Sequence, residues 1–210
     1  MNDNFEITNM HLDILKEIGN IGAGNAATAL SQLLNQKIDM HVPSVEVVSF
    51  DEMFELAGGA EKEVASIYLR IEGGITGTMF FVLSIESANQ FIRNLIQDES
   101  FDFHNDEQKE IGASALQELG NILSGSYLSS LSDFTQLNIY PTVPSLAIDM
   151  VGAIVSFGLV ELSRYSDEVI VINTCITQDQ GDGVSSFAGQ FFLLPDPPSY
   201  VTIFKSLGVL

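Results

Sequence analysis

The sequence predicts an α/β protein made of two homologous halves related by a pseudo-twofold axis, with long helices packed on a β-sheet. Three observations carry this. The stretch "DILKEIGNIGAG" from Asp13 returns as "SALQELGNILSG" from Ser114, and at the same offset "KIDMHVPS" meets "NIYPTVPS" without a gap. A weaker echo follows, "GTMFFVL" from Gly77 against "GQFFLLP" from Gly189, after extra residues around "TQDQGDG" in the second half. Helical and strand periodicities also alternate in the same order twice. The expected organisation is a single domain over residues 1–210, with a first half at 1–101 and a second at 102–210.

Each half reads as a long helix, a strand, a short helix, two strands and a closing helix. In the first long helix Leu15, Ile18 and Leu33 are apolar positions available to a sheet; Leu116, Leu119 and Leu128 supply them in the second. "ASIYLRI" alternates, placing Ala65, Ile67, Leu69 and Ile71 on one face and Ser66, Tyr68 and Arg70 on the other. "GTMFFVLS" and "EVIVINTCI" are β-rich runs bounded by turn residues. "IESANQFIRNLI" has Ala88, Phe91, Ile92 and Leu95 at helical spacing. Its counterpart "PPSYVTIFKSL" begins with proline, which suits a helix start because the missing N–H has no helical partner there.

Composition excludes several function classes. The chain has 210 residues, of which 46% are hydrophobic, enough for a sizeable core. Its formal net charge of -20 repels nucleic acid and anionic membrane surfaces and favours partners with basic patches. A single cysteine, Cys175, rules out an internal disulfide; in the run "VIVINTCI" it reads as a buried structural thiol. The N-terminus "MNDNFEITNM" lacks signal-peptide character, and the longest apolar run, "MVGAIVSFGLV", falls short of the roughly 18 residues of a membrane span. The expectation is a soluble cytoplasmic protein.

The chemistry concentrates on the two long helices. Asp13, Glu17 and Asn20 are spaced i, i+4, i+7 and share one helical face; Ser114, Glu118 and Asn121 repeat that stripe. Such a stripe is usually only a solvated helix face. Asparagine is nevertheless a poor helix former, and the Glu/Asn pair recurs where most neighbouring residues have changed. The interleaved glycines of "EIGNIGAGN" do not form a phosphate cradle. Gly22 is Leu123 in the second copy, the order is wrong for GxGxxG, and no strand precedes it. Gly19 and Gly24 persist as Gly120 and Gly125, as small residues that let the helix pack closely or let a partner's backbone approach. The three histidines, His11, His41 and His104, are dispersed, so a structural zinc site is not expected. "DQGDG" near Asp179 lacks the later acidic ligand of a calcium loop, and no G-x-S-x-G elbow is present.

A Glu, an Asn three residues on, a proline 23 positions beyond, and Asp or Ser four residues before the Glu resemble the signature of the CheC family. These are response-regulator phosphatases of bacterial chemotaxis, related to CheX and FliY. Asp13-Glu17-Asn20-Pro43 and Ser114-Glu118-Asn121-Pro144 both fit, and the resemblance spans essentially the whole chain. It implies hydrolysis of the aspartyl phosphate of the regulator CheY, with Asn20 and Asn121 positioning water and Glu17 and Glu118 anchoring the regulator through its lysine. It implies no cofactor or metal of the chain's own, Mg²⁺ being supplied by the regulator. Asp13, Ser114, Pro43 and Pro144 would be supporting residues. The family also binds the receptor deamidase CheD, and "DMVGAI" from Asp149 resembles the region where that partner docks; its other reading is the start of a core helix using Val151, Ile154 and Val155. The alternative to a phosphatase is a non-enzymatic scaffold or CheD-binding regulator, as in FliM, which shares the fold without the Glu/Asn pairs. Because the duplication supplies two sites in one chain, the expected state is a monomer.

Overall fold

The computed structural model describes residues 7–154, 168–179 and 184–210. The first half contributes α1 (Asn9–Leu34), β1 (Ile38–His41), β2 (Val45–Ser49), α2 (Phe50–Leu56), β3 (Glu63–Gly73), β4 (Gly77–Ser84) and α3 (Ile85–Ile96). The second contributes α4 (Lys109–Thr135), β5 (Ile139–Pro141), β6 (Ser145–Met150), a helical turn at 151–154, β7 (Glu168–Asp179), β8 (Val184–Pro195) and α5 (Pro197–Ser206). The same order is thus run twice.

Local chemistry explains the boundaries. Ser49 opens α2 through a reciprocal box: Glu52 N–H donates to Ser49 Oγ at 3.3 Å, and Ser49 N–H donates to Glu52 Oε2 at 2.9 Å. Ser84 Oγ accepts from Ser87 N–H at 3.1 Å at the start of α3, and proline stands in the first turn of α5. The two long helices stop alike, at the equivalent residues Asn35 (φ 49°) and Gln136 (φ 56°), both left-handed.

The strand order is β1-β7-β8-β4-β3-β5, with β2 also on β7 and β6 also on β3, every pair antiparallel. The arrangement maps onto itself when the halves are exchanged. Each half sends its first two short strands across to the other half: β1 and β2 bond to β7, while β5 and β6 bond to β3. The β4–β8 ladder joins the halves at the centre, with Phe80 opposite Phe192 and Phe81 opposite Phe191.

The expected single strand after each long helix is in fact two. Pro43 and Pro144 have no N–H to give a ladder, and the chain leaves the sheet around them before pairing resumes at Val45 and Ser145. The alternation in β3 holds: Ala65, Ile67, Leu69 and Ile71 face a large core with α1, α3, α4 and α5, containing Phe91, Leu116, Leu119 and Phe204. The opposite face is covered as well. Val64, Phe80, Phe192 and Leu194 pack there with Met53 of α2 and with Val151 and Ile154. Burial on both faces is why these strands read as nearly continuous apolar runs.

Two expectations need correction. Leu33 is largely exposed at 39%, because the sheet-facing row of α1 runs through Leu30 and Leu34 instead. Cys175 is half-buried rather than enclosed, since it lies opposite His41 where β7 pairs the short strand β1. Val155 and the centre of "DQGDG" lie outside the described residues. Among the described residues no helix is long and apolar enough to cross a membrane.

Candidate functional site

α1 and α4 pack on the same face of the sheet and against each other. Their crossing is close because Gly22 leaves room for Tyr127: a Cβ on Gly22 would stand 3.0 Å from Tyr127 Cα. Tyr127 is buried, its hydroxyl bonded to Thr174 Oγ1 at 3.1 Å and its ring 4.5 Å from Phe191. Burial pushes its pKa up to about 12, so it remains a neutral strut. Gly19 and Gly120 are likewise packing residues. A Cβ would meet Val42 Cγ2 at 3.3 Å from the first and Ile67 Cγ2 at 2.5 Å from the second. These contacts turn the opposite faces of both helices outward.

On α1 the outward stripe carries Asp13 and Glu17, both exposed, and Asn20, half-buried. Neither acid has an ion pair or side-chain hydrogen bond among the described residues. Asn20 is fully engaged. Its Oδ1 accepts from Val42 N–H at 2.9 Å, and its Nδ2 donates to Lys16 C=O at 3.0 Å and, more weakly, to Val42 C=O at 3.5 Å. The amide therefore supplies the polar partners that Val42, just beyond β1 and next to Pro43, would otherwise lack. Val42 is buried at 2% and Pro43 is exposed.

The second copy departs from this. Glu118, Ser114 and Asn121 are all exposed, and among the described residues the Asn121 side chain has no hydrogen-bond partner. The loop opposite is turned inside out: Val143, equivalent to Val42, is 87% exposed, while Pro144 is buried. Thr142 holds it to β3, its N–H donating to Arg70 C=O at 2.9 Å and its Oγ1 accepting from Arg70 N–H at 3.0 Å. Ser114 Oγ donates to Glu110 C=O at 3.1 Å, a bond within its own helix.

Each copy thus brings its Glu and Asn to one outward face, with the proline loop beyond the Asn. Asp149 is not part of either stripe. It stands exposed at the end of β6, its Oδ1 accepting from Met150 N–H at 2.7 Å. Val151 and Ile154 behind it are buried, as the core-helix reading expects. Sequence reasoning missed two features. Ile21, 38% exposed and next to Asn20, extends the polar stripe with an apolar edge that a helical wheel would have shown. The reversal of the Val–Pro loop had no signal, because both copies read Val-Pro-Ser.

An exposed carboxylate and an amide three residues apart on a rigid helix can ion-pair with a cation and hydrogen-bond a water on an opposing surface. They lack a nucleophile–base pair, and among the described residues no three His, Cys, Asp or Glu side chains converge as metal ligands would.

The fold and the paired stripes define a family. The CheC-like family matches residues 10–47 and 111–148, the two helix-and-proline-loop segments. Over 94% of its length the chain is 48% identical to the CheY-P phosphatase CheC of Bacillus subtilis (strain 168), covering 93% of that protein. It is 32% identical over 60% of its length to the flagellar motor switch phosphatase FliY of the same organism, covering 32% of that longer chain. Among solved structures it superposes on Thermotoga maritima FliY with a TM-score of 0.73 at 22% identity, covering 97% of this chain and 98% of that one. A FliM–SpeE complex from H. pylori shares the fold with a TM-score of 0.65 at 13% identity, covering 97% of each chain. The chain belongs to the CheC-like family.

Proposed function

We propose that this protein hydrolyses the aspartyl phosphate of the chemotaxis response regulator CheY, with Asn121 and Asn20 as the water-positioning residues and Glu118 and Glu17 as the anchors. The observation that carries it is the recurrence of an outward Glu/Asn pair at one register on both long helices, in a chain 48% identical to a CheY-P phosphatase. An acyl phosphate is intrinsically labile, and the regulator's own Mg²⁺ and lysine polarise it. What remains is to hold a water in line with phosphorus, a task for a neutral amide. Positioning one water contributes on the order of 10²-fold, about 3 kcal/mol. Asn121, with both ends of its amide free among the described residues, suits this role.

A second reading applies to the first helix alone. The commitment of Asn20 to Val42 favours α1 as a docking surface that holds the regulator with little turnover. Asp13 and Ser114 border the two stripes and Pro43 and Pro144 shape the loops beside them, so they act as supporting residues. Asp149, with Ile148 and Met150 also exposed on β6, supports a docking place for CheD. We take the protein to be a cytoplasmic monomer of two halves, 1–101 and 102–210.

The test is phosphate loss from a cognate CheY with wild type, Asn20→Ala, Asn121→Ala and the double variant. The double variant should fall to the regulator's own rate. If wild type leaves that rate unchanged, the protein is a binding partner and the stripes are docking surfaces.

A further inference from the structure

Five glycines lie along the two repeated helix segments of α1 and α4, and the structure divides them into two kinds. Gly19, Gly22 and Gly120 are demanded by the interior, where a Cβ would press on Val42, Tyr127 or Ile67. At Gly24 and Gly125 a Cβ would meet nothing within 4 Å, and neither has a positive φ. Glycine is the poorest helix former apart from proline, so the fold would be better served by almost any other residue at these two positions. Among the described residues nothing accounts for them.

Their placement points outward. Each follows the site asparagine by four residues and the site glutamate by seven. At about 100° per residue the glycine falls about 20° from the line of the glutamate and about 40° from the asparagine, two turns and one turn further along the axis. It is the bare spot on the strip that a partner lying over Glu and Asn has to cover. Beside Gly24 the exposed Ile21 forms one border and Asn20 the other.

We propose that Gly24 and Gly125 are positioning residues of the two sites, where the backbone of the phosphorylated response regulator lies directly against the helix. This rests on the phosphatase reading. A side chain there stands between the two surfaces and lifts the regulator away from the helix. The Glu loses its reach to the regulator's lysine, and the amide moves off the phosphoryl group. Misplacements of this size near 1 Å cost on the order of 10²-fold when a reacting water must be held in line. The glycines contact no reacting atom, so the effect on the reaction is indirect and steric.

The experiment uses Gly125→Ala, Gly125→Leu, Gly24→Leu and wild type, each with a cognate CheY, reading thermal unfolding, the KM and kcat for CheY phosphate loss, and the affinity for phosphorylated and unphosphorylated CheY by titration. The substitutions should leave the unfolding temperature equal to wild type or higher, since they add helix propensity in open space. Gly125→Leu should lower kcat/KM at least tenfold, through both a raised KM and a lowered kcat, with Gly125→Ala in between. Gly125→Leu with wild-type KM and affinity would overturn the proposal. So would a drop in activity matched by a drop in unfolding temperature, which would make the glycine structural. If wild type does not speed phosphate loss, the phosphatase reading fails and affinity alone decides. Weaker binding of CheY by Gly125→Leu then supports the contact; unchanged binding, or none by wild type, rejects it.

Discussion

Asn20 grips the backbone of Val42, taking its N–H at 2.9 Å and facing its C=O at 3.5 Å, whereas the equivalent Val143 is 87% exposed. The same asparagine that the repeat preserves is used differently in the two halves. In the first it closes a gap in the fold; in the second it has no hydrogen-bond partner among the described residues.

The two asparagines should therefore separate on substitution. Asn20→Ala strands the N–H of a buried residue and should cost about 1–3 kcal/mol of stability, measured by urea unfolding. Asn121→Ala removes an exposed side chain with no hydrogen-bond partner among the described residues and should stay within about 0.5 kcal/mol of wild type. Phosphate release from CheY should show the reverse order, Asn121→Ala losing the larger share of the stimulated rate. Equal stability loss in both would show that Asn20 is not holding Val42 in solution.

Most of this arrangement was legible because duplication writes each element twice. The alternation of β3, the apolar rows of α3 and α4, and the outward placement of both glutamates follow from periodicity alone. Other features depended on tertiary contact. The exchange of β1–β2 and β5–β6 between halves leaves no local trace, because a short strand looks the same whichever neighbour it pairs. Val42 and Val143 sit in identical Val-Pro-Ser triplets, yet one is in and the other out. Leu33 failed as a core position because in a helix this long more than one apolar row is available, and packing decides which faces the sheet.

Gly120 offers a test of how α4 is seated. A Cβ there would stand 2.5 Å from Ile67 Cγ2 in the middle of β3, far closer than atoms tolerate. Gly120→Ala should destabilise by about 1–3 kcal/mol despite its gain in helix propensity, the overpacking outweighing it. Ile67→Ala removes that Cγ2, so the double variant Gly120→Ala with Ile67→Ala should be less destabilised than the sum of the two single variants in the same urea measurement. Strict additivity would mean the strain is relieved elsewhere.

A pH test falls on the segment that links the halves. His104 Nδ1 lies 3.0 Å from Asp102 Oδ1 and its Nε2 lies 3.3 Å from Glu63 Oε2, beside Lys109 at the edge of a groove of about 430 Å³. The hydrogen bond to Asp102, then that to Glu63, raises the His104 pKa above 6.5. A raised folded-state value stabilises fully below the unfolded pKa and is lost as pH rises through the folded one. Asp102 is shifted the other way, chiefly by the His104 backbone N–H, so its own contribution disappears only in acid. His104→Gln should therefore lower the unfolding temperature most near about pH 5.5 and hardly at all by about pH 8.5. A deficit that is constant across this range would assign the effect to packing.

The exchange of strands makes the strongest claim about the fold. Without β7 and β8, the first half retains only the β3–β4 hairpin, since β1, β2 and the outer edge of β4 all lose their partners. A two-stranded hairpin is marginal in water, and α1 would also lose Tyr127 and the rest of α4 from its packed face. Residues 1–101 alone should show no cooperative urea transition as a monomer. Mixing them with residues 102–210 should restore one, together with native circular dichroism and a 1:1 complex on gel filtration. The restored complex should also recover CheY phosphate release, because each helix would again sit on a sheet completed by the other half. A cooperative monomeric transition for 1–101 alone would show that the crossing strands are an addition to each half's stability and not its basis.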